Sequence, residues 1–271
     1  MKSPRIFVPN DATAVACGAD KVARKLEREL LARGTTADIT RNGSRGLFWL
    51  EPLVEVETPR GRVGYGPVSA ADVEDLLKSG FLDGEDHPLC VGLVEEIPYL
   101  KRQTRLTFAR CGIIDPLSLT DYEAHGGYRG LKKAIEIGPT ATVDEVFESG
   151  LRGRGGAGFP TGIKWRTVAA APADQKYIVC NADEGDSGTF ADRLIMEADP
   201  FCLIEGMIIA GLAVGATKGF VYSRSEYPIA FVVMEKAIEK AREAGLLGKN
   251  ILGSGIDFDM EMRMGAGAYV C

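Results

Sequence analysis

A glycine-rich segment at residues 150–165 is the first candidate for chemistry in this sequence. It reads G-L-R-G-R-G-G-A-G-F-P-T-G-I-K-W, and it carries basic side chains at Arg152, Arg154 and Lys164. Free backbone N–H groups beside cations can bind an anion such as phosphate, and the absence of side chains lets a flat ring approach the backbone. A flexible hinge with a solvated basic flank is the alternative interpretation.

The glycine pattern alone does not identify a nucleotide-binding fold. Residues 153–158 match G-x-G-x-x-G, but the dinucleotide fingerprint requires a strand before the glycines and a helix after them. A helix is predicted before this segment, and Phe-Pro-Thr-Gly at residues 159–162 is not expected to continue as a regular helix. A P-loop is also excluded, because residues 162–164 lack the Gly-Lys-Ser/Thr ending. An irregular anion-binding loop is therefore predicted.

An acidic segment is the second candidate, and it directly follows a strand predicted at residues 176–180. Its polar side chains are Asn181, Asp183, Glu184 and Asp186. Ligands of open α/β sheets bind at the carboxyl ends of the strands, and carboxylate or amide oxygens accept hydrogen bonds from sugar hydroxyls. The two segments therefore suggest complementary ends of one ligand, with cations near its phosphate and acids near its hydroxyls. A divalent metal site and a solvated acidic turn are the alternatives.

The predicted elements indicate two α/β domains joined by a connector. Residues 1–80 predict strand, helix, strand, hairpin and helix, with an amphipathic helix from Ala19 to Arg33 and a hairpin turn at residues 59–61. Residues 81–119 are interrupted by prolines and predict the connector. From residue 120 to residue 271 strands and helices alternate again, which is typical of a layered α/β domain.

Composition and charge restrict the classes of partner. The formal net charge of −6 gives no basic face for nucleic acid. No signal peptide is evident, and the longest apolar run, residues 201–215, is too short to span a bilayer, so a cytoplasmic location without membrane insertion is predicted. The six cysteines contain no C-x-x-C, and most of them are expected to be small buried residues. No metal site is predicted within the chain.

Five motifs between residues 120 and 271 resemble the family of FMN- and NADH-binding flavoprotein subunits, the 51 kDa type of respiratory complex I. In order they are the glycine-rich segment, Y-I-V-C-N-A-D-E-G-D-S-G, Y-S-R-S-E-Y, L-G-K-N and G-A-G-A-Y-V-C. The family includes the flavin subunit of complex I, the diaphorase subunits of NAD-reducing hydrogenases and the beta subunit of NAD-dependent molybdenum formate dehydrogenases. The resemblance implies FMN and NAD as cofactors.

The resemblance also implies roles for individual residues. It implies that Gly153, Arg154, Gly155, Gly156 and Gly158 form the loop passing over the flavin. The side chains expected to contact or flank FMN are Lys164, Asn181, Asp183, Glu184 and Tyr269, whereas Phe159 and Asp186 are expected on the NADH side. Asp186 departs from the glutamate that the complex I relatives carry there. No side chain is expected to act as catalyst, because the flavin itself carries the redox chemistry.

The N-terminal region is similar to the thioredoxin-like region of formate dehydrogenase beta subunits. The similar segments are residues 41–46, 49–56 and 92–105. Only three cysteines lie in this region, which are too few and wrongly spaced for a [2Fe-2S] cluster, so a thioredoxin-like domain without cluster ligands is predicted.

The resemblance implies electron transfer from formate oxidation to NAD through clusters and FMN. The expected partners are a molybdopterin formate dehydrogenase alpha subunit, a small [2Fe-2S] thioredoxin-like gamma subunit and NAD(H). A diaphorase subunit of a NAD-reducing hydrogenase, a complex I flavin subunit and a nucleotide-binding scaffold without flavin are the alternatives. The sequence stops directly after a predicted strand, so the FMN domain is expected to be C-terminally incomplete, with a [4Fe-4S] cluster only in the part that would follow.

Overall fold

A computed structural model describes residues 3–154, 156–186 and 188–267, and these form a mixed α/β chain as predicted. The chain divides into two compact units. The first contains Met1–Pro116 with Glu197–Asp199, and the second contains Leu117–Met196 with Pro200–Cys271. Two residues assigned to the site by resemblance, Gly155 and Tyr269, lie outside the described residues.

The first unit is built on a five-stranded sheet. Its strands have the order β2-β1-β3-β4-β5, in which β1 and β2 are parallel and the remaining neighbours are antiparallel. The first four strands have the order and directions of a thioredoxin-like core. The strands are β1 (Arg5–Phe7), β2 (Asp38–Thr40), β3 (Val54–Thr58), β4 (Gly61–Tyr65) and β5 (Cys90–Leu93).

Four helices belong to the first unit, and the longest shows why its sequence is helical. In α2, Val22, Leu26 and Leu30 recur at intervals of four and are buried in the same core cluster as Ile6 and Val54 of the sheet. The helices are α1 (Ala12–Ala16), α2 (Ala19–Ala32), α3 (Val73–Lys78) and α4 (Pro98–Lys101), with single 3₁₀ turns at Phe48–Leu50, Phe81–Asp83 and Val94–Glu96.

Part of the stretch predicted as a connector is built into this sheet. β5 pairs antiparallel with β4, with Leu93 opposite Val63. Leu93 and Cys90 also pack against the main core cluster of the unit. The frequent prolines and charges of this stretch led to the prediction of an irregular connector. A strand of only four residues at the edge of a sheet is too short to show a clear sequence pattern.

A buried ion pair ties the sheet to the segment that precedes it. Arg45 and Glu55 have exposed side-chain fractions of 3% and 1%, and the guanidinium donates from Nε and Nη2 to the two carboxylate oxygens at 2.9 and 2.8 Å. Arg62 lies 3.4 Å from the same carboxylate and donates to the carbonyl of Ile113 at 2.7 Å. Removing one partner leaves a buried charge without compensation.

The second unit contains a three-stranded parallel sheet, β6 (Tyr177–Ala182), β7 (Lys218–Ser223) and β8 (Asp259–Met264), in that order. The pairing is in register, so Ala182 lies opposite Ser223, which in turn lies opposite Met264. The helices are α5 (Leu119–Ala124), α6 (Arg129–Glu148), α7 (Thr161–Ala170), α8 (Ala191–Ala198), α9 (Pro200–Val214) and α10 (Pro228–Glu243), with a 3₁₀ turn at Ile251–Gly253.

One helical expectation in this unit needs correction. A regular helix does follow the glycine-rich segment, because Pro160 occupies the N-cap of α7 and the helix begins at Thr161. The helix predicted before the segment is the second half of α6, which is kinked at Gly138 with φ of 80°. The glycine-rich segment therefore lies between two helices, which is still not the strand–turn–helix order of a dinucleotide fingerprint.

The cysteines are less buried than predicted, since of those in the described residues only Cys111 is buried and Cys17 is exposed. No helix in the described ranges combines the length and hydropathy needed to cross a bilayer.

Substitution of Glu55 by Gln is expected to destabilise the first unit by about 3–5 kcal/mol, because it removes the buried carboxylate shared by Arg45 and Arg62 and leaves the Arg45 guanidinium with only the exposed Glu95 carboxylate as counter-charge. Urea unfolding followed by circular dichroism measures the loss. Glu74→Gln removes an exposed i,i+4 pair with Lys78 and serves as the control, because an exposed pair of this kind contributes little to stability. Equal effects of the two substitutions on stability would contradict a special contribution of the buried Arg45–Glu55 pair.

The stability of the first unit is expected to fall as the pH rises from about 4.5 to about 8. Burial, and next the nearby Asp11 carboxylate, raise the pKa of Glu51 from 4.5 to about 8. Across that window the folded chain binds a proton that the unfolded chain has released, so stability declines with a slope of up to about 1.4 kcal/mol per pH unit. In Glu51→Gln this slope should disappear. An unchanged slope in urea unfolding series at several pH values would exclude Glu51 as its source.

Candidate functional site

The glycine-rich segment forms a loop that is closed at its base. The backbone N–H of Gly153 donates to the carbonyl of Phe159 at 2.9 Å, and Thr161 donates to Leu151 at 2.9 Å. Arg152 donates from Nη1 to the carbonyl of Gly158 at 3.0 Å, which closes the loop a second time. The loop is thus defined by hydrogen bonds across its neck, which is more order than a flexible hinge implies.

The backbone conformation explains why some positions of this loop are glycine, but it does not explain the glycine at position 153. Gly156 and Gly158 have φ values of 95° and 59°, which side chains rarely adopt. Gly153 has no such φ, and a Cβ built on it would lie 3.7 Å from the carbonyl of Phe159, an ordinary contact. Because neither conformation nor packing within the chain demands glycine at position 153, the bare backbone there fits close approach by a ligand.

Cationic and aromatic side chains stand next to this loop. Arg154 and Lys164 are exposed, and neither makes an ion pair with the residues that the structure describes. Phe159 is 49% exposed, and the Lys164 ammonium lies 5.9 Å from the centre of its ring. An open hollow of about 420 Å³ is lined by Phe159, Lys164, Thr167 and Val168. The hollow offers a largely apolar surface with one positive charge.

The acidic segment leaves the carboxyl end of β6, as the sequence predicts. Asn181 is exposed, and its side-chain oxygen accepts from the backbone N–H of Asp183 at 3.1 Å. Asp183 is half-buried and Asp186 is exposed, and neither carboxylate is bonded to another described residue. Both carboxylates are therefore available to accept hydrogen bonds from outside the chain.

Glu184 faces the interior. Its side chain is 9% exposed, and Oε1 accepts from the backbone N–H groups of Ala191 at 2.8 Å and Asp192 at 3.1 Å. Oε2 accepts from the Tyr227 hydroxyl at 2.9 Å. Burial, then this hydrogen bond, raises the pKa of Tyr227 to about 12, so the hydroxyl stays protonated and donates. The carboxylate of Glu184 caps the beginning of α8.

Arg152, predicted as a cation beside a bound anion, instead closes the base of the loop. Two residues were not predicted to have roles, and they are Arg224 and Tyr227 around Glu184. The signal for the last two was present in the Y-S-R-S-E-Y motif at residues 222–227, but a motif does not reveal which of its side chains turn towards a neighbouring loop.

Topology brings the two loops to one end of the second unit. α7 follows the glycine-rich loop, a short connection reverses the chain, and β6 then runs to the acidic segment. Trp165 and Val168 of α7 and Ile178 of β6 pack against the same buried cluster of Val143, Ala213, Val214 and Ala216. Lys176, next to the start of β6, donates to the carbonyl of Ala169 near the end of α7. The beginning of α7 and the carboxyl end of β6 therefore both lie away from this contact.

Comparison with known proteins shows what the chain is similar to. Residues 146–271 match the family Complex1_51K, the Nuo51 FMN-binding domain. The NADP-reducing hydrogenase subunit HndC of Solidesulfovibrio fructosivorans is 57% identical over 63% of this chain and 35% of its own length. An NADH-quinone oxidoreductase subunit of Aquifex aeolicus is 50% identical over 57% of this chain and 36% of its own length.

Two comparisons extend over nearly the whole chain. The NAD-reducing hydrogenase HoxS subunit alpha of Cupriavidus necator is 46% identical over 98% of this chain and 44% of its own length. A crystal structure of an NAD⁺-reducing [NiFe]-hydrogenase in the H₂-reduced state aligns with 99% of this chain and 44% of its own, with 25% identity and a TM-score of 0.50. The chain thus spans less than half the length of these relatives.

Substitution of Gly156 by Ala is expected to destabilise the chain by about 1–3 kcal/mol, because its φ of 95° strains any side chain. Gly153→Ala should change stability by less than about 0.5 kcal/mol, since its Cβ meets only ordinary contacts. Thermal unfolding of the two variants measures the difference. A large loss in Gly153→Ala would show that the fold itself requires glycine there.

Proposed function

We propose that this chain, whose residues 146–271 match the Nuo51 FMN-binding domain, binds FMN and transfers electrons between it and NAD(H). The observation that carries the proposal is the exposed glycine at position 153, where neither the backbone conformation nor the neighbouring residues require the side chain to be absent. When bound, FMN supplies two-electron exchange with nicotinamide and one-electron exchange with iron–sulfur centres. The residues of this chain supply binding, orientation and charge.

The glycine-rich loop is proposed to receive the phosphate and the flavin ring. The charges of its exposed Arg154 and Lys164 suit an anion, while Gly153, Gly156 and Gly158 leave room for a flat ring. Gly155 joins this set by resemblance. Arg152 keeps the loop in shape through its bond to the carbonyl of Gly158, so little ordering cost remains for ligand binding.

The acidic segment is proposed to bind hydroxyl groups. Asn181 and the Asp183 carboxylate suit the ribityl chain of FMN, and Asp186 suits NAD(H) at the rim. Glu184 contributes indirectly, because its carboxylate holds the acidic segment in place. The exposed ring of Phe159 is proposed to stack on NAD(H), and Tyr269 completes the flavin side by resemblance.

Two electron donors are proposed for the complete protein. The first is formate, oxidised on a molybdopterin alpha subunit with a small [2Fe-2S] gamma subunit in between, and the resemblance of residues 41–46, 49–56 and 92–105 to formate dehydrogenase beta subunits supports it. The second is hydrogen, which is supported by the alignment of 98% of this chain with the HoxS alpha subunit. Metal analysis of the native complex separates them: molybdenum supports formate, and nickel overturns it.

Wild-type chain is expected to bind FMN and Gly153→Ala to bind it at least about tenfold more weakly, because a methyl group would occupy the space of the ligand. Titration of FMN fluorescence measures the affinity. Gly206→Ala is the matched control: this exposed glycine of α9 has no atom within 4 Å of its Cβ, so affinity should not change.

Two outcomes would overturn the proposal. Wild-type chain that neither quenches FMN fluorescence nor retains a flavin absorbance after purification would favour a nucleotide-binding scaffold without flavin. Equal FMN affinity of Gly153→Ala and wild type, with both folded, would move the ligand away from the glycine-rich loop.

A further inference from the structure

We propose that Glu184, Tyr227 and Arg224 act as positioning residues, which fix the acidic segment from behind without their side chains touching the ligand. This inference rests on the proposed function of the same site and assigns a role to two residues outside the glycine-rich and acidic segments. The group of three is called the Glu184 anchor below. Its evidence is the direction of the Glu184 carboxylate, the closure of the loop that follows it and the contacts of Arg224.

The Glu184 carboxylate has its acceptor capacity used inside the protein. Oε1 receives two backbone N–H groups at the beginning of α8, and Oε2 receives the Tyr227 hydroxyl at 2.9 Å and the Arg193 N–H at 3.4 Å. A carboxylate at a helix N-terminus is also stabilised by the helix dipole. Turning this side chain to a ligand would leave three helix N–H groups and a buried hydroxyl unsatisfied.

The same hydrogen bonds close a loop that carries Asp186. Residues 185–190 connect Glu184 to the first residue of α8, and the carboxylate spans the two ends of this connection. Phe190 has a positive φ of 52°, a conformation that costs free energy in a residue with a side chain. The capping bonds compensate for that conformation, so weakening them should loosen the loop from its α8 end.

Arg224 holds the backbone of the acidic segment from the adjacent strand. Its Nη1 donates to the main-chain carbonyl of Glu184, and its backbone N–H donates to the carbonyl of Ala182 at 3.4 Å. Glu226 fixes the guanidinium with bonds of 3.2 and 3.1 Å to Nε and Nη2, and the Tyr227 ring lies 5.1 Å from it. Main chain and side chain of Glu184 are thus both fixed by residues that follow β7.

The consequence is a division of labour among the acids. Asp183 and Asp186 keep carboxylates without bonds to described residues, whereas the Glu184 carboxylate between them is inside. The anchor therefore determines where the two outward carboxylates lie. The anchor should therefore affect ligand affinity by ordering the acidic segment before the ligand binds. A residue that only contacts the ligand would not change the order of the ligand-free protein.

Tyr227→Phe tests this, because it deletes one hydroxyl and keeps the buried ring. In ligand-free protein the amide hydrogens of residues 191–193 are expected to exchange about three- to tenfold faster, and the Kd for FMN should rise by a similar factor. Hydrogen–deuterium exchange and FMN fluorescence titration give the two readouts. Tyr177→Phe is the matched control, since that tyrosine is exposed on β6 and its substitution should change neither.

Substitutions of Glu184 separate positioning from direct contact. Glu184→Gln retains an acceptor for α8 and should restore most of the affinity that Glu184→Ala loses, and adding Tyr227→Phe to Glu184→Ala should cause no further loss. A direct contact predicts instead that Tyr227→Phe leaves both exchange and affinity unchanged while Glu184→Ala weakens binding without faster exchange. That pattern would overturn the positioning role.

The proposed function can fail separately. Wild-type chain that does not bind FMN rejects the proposed function, whatever the exchange data show. Normal FMN binding together with unchanged exchange and affinity in Tyr227→Phe rejects the anchor alone.

Discussion

The parallel pairing of β6, β7 and β8 is the constraint on which the candidate site depends. Because the strands are parallel and in register, Ala182, Ser223 and Met264 lie side by side at one edge. The acidic segment follows the first of these strands, and Arg224 follows the second. The Arg224 guanidinium is therefore close enough to donate to the main-chain carbonyl of Glu184 in the acidic segment. Parallel strands require helical crossovers, and α8 begins where the Glu184 carboxylate can cap it. Sheet topology thus brings together groups that are far apart in sequence.

Charged side chains that are neighbours in the sequence of this site differ in whether they are bonded within the protein. Glu184 satisfies a helix terminus, whereas the carboxylates of Asp183 and Asp186, within two residues of it, have no bond to a described residue. In the glycine-rich loop Arg152 and Arg154 are both exposed, but Arg152 closes the loop and Arg154 makes no ion pair with a described residue. A buried ionic group must be paired and hydrogen-bonded, while an unpaired exposed one is free to meet a ligand.

Sequence patterns predicted the elements with strong periodicity. The α2 helix, the β3–β4 hairpin and the strands β6 and β8 were found because their apolar spacing or turn residues are local signals. The edge strand β5 and the helix α8 were missed, since a short edge strand carries little pattern and α8 depends on a cap from Glu184. The two candidate loops were identified by residue type. The inward direction of Glu184 was not, because it is set by Tyr227, 43 residues away.

The first unit also pairs its buried charges, although no ligand site is proposed there. Its buried charges Arg45, Glu55 and Arg62 tie the sheet to the carbonyl of Ile113, which lies after the last strand. Gly112 is required there, because a Cβ would stand 2.4 Å from the Arg45 side chain. Ion pairs of this kind add little net stability compared with apolar residues, but they accept only one arrangement of partners. They therefore act beside the buried apolar side chains of the segment after β5, which include Leu100, Cys111 and Ile114.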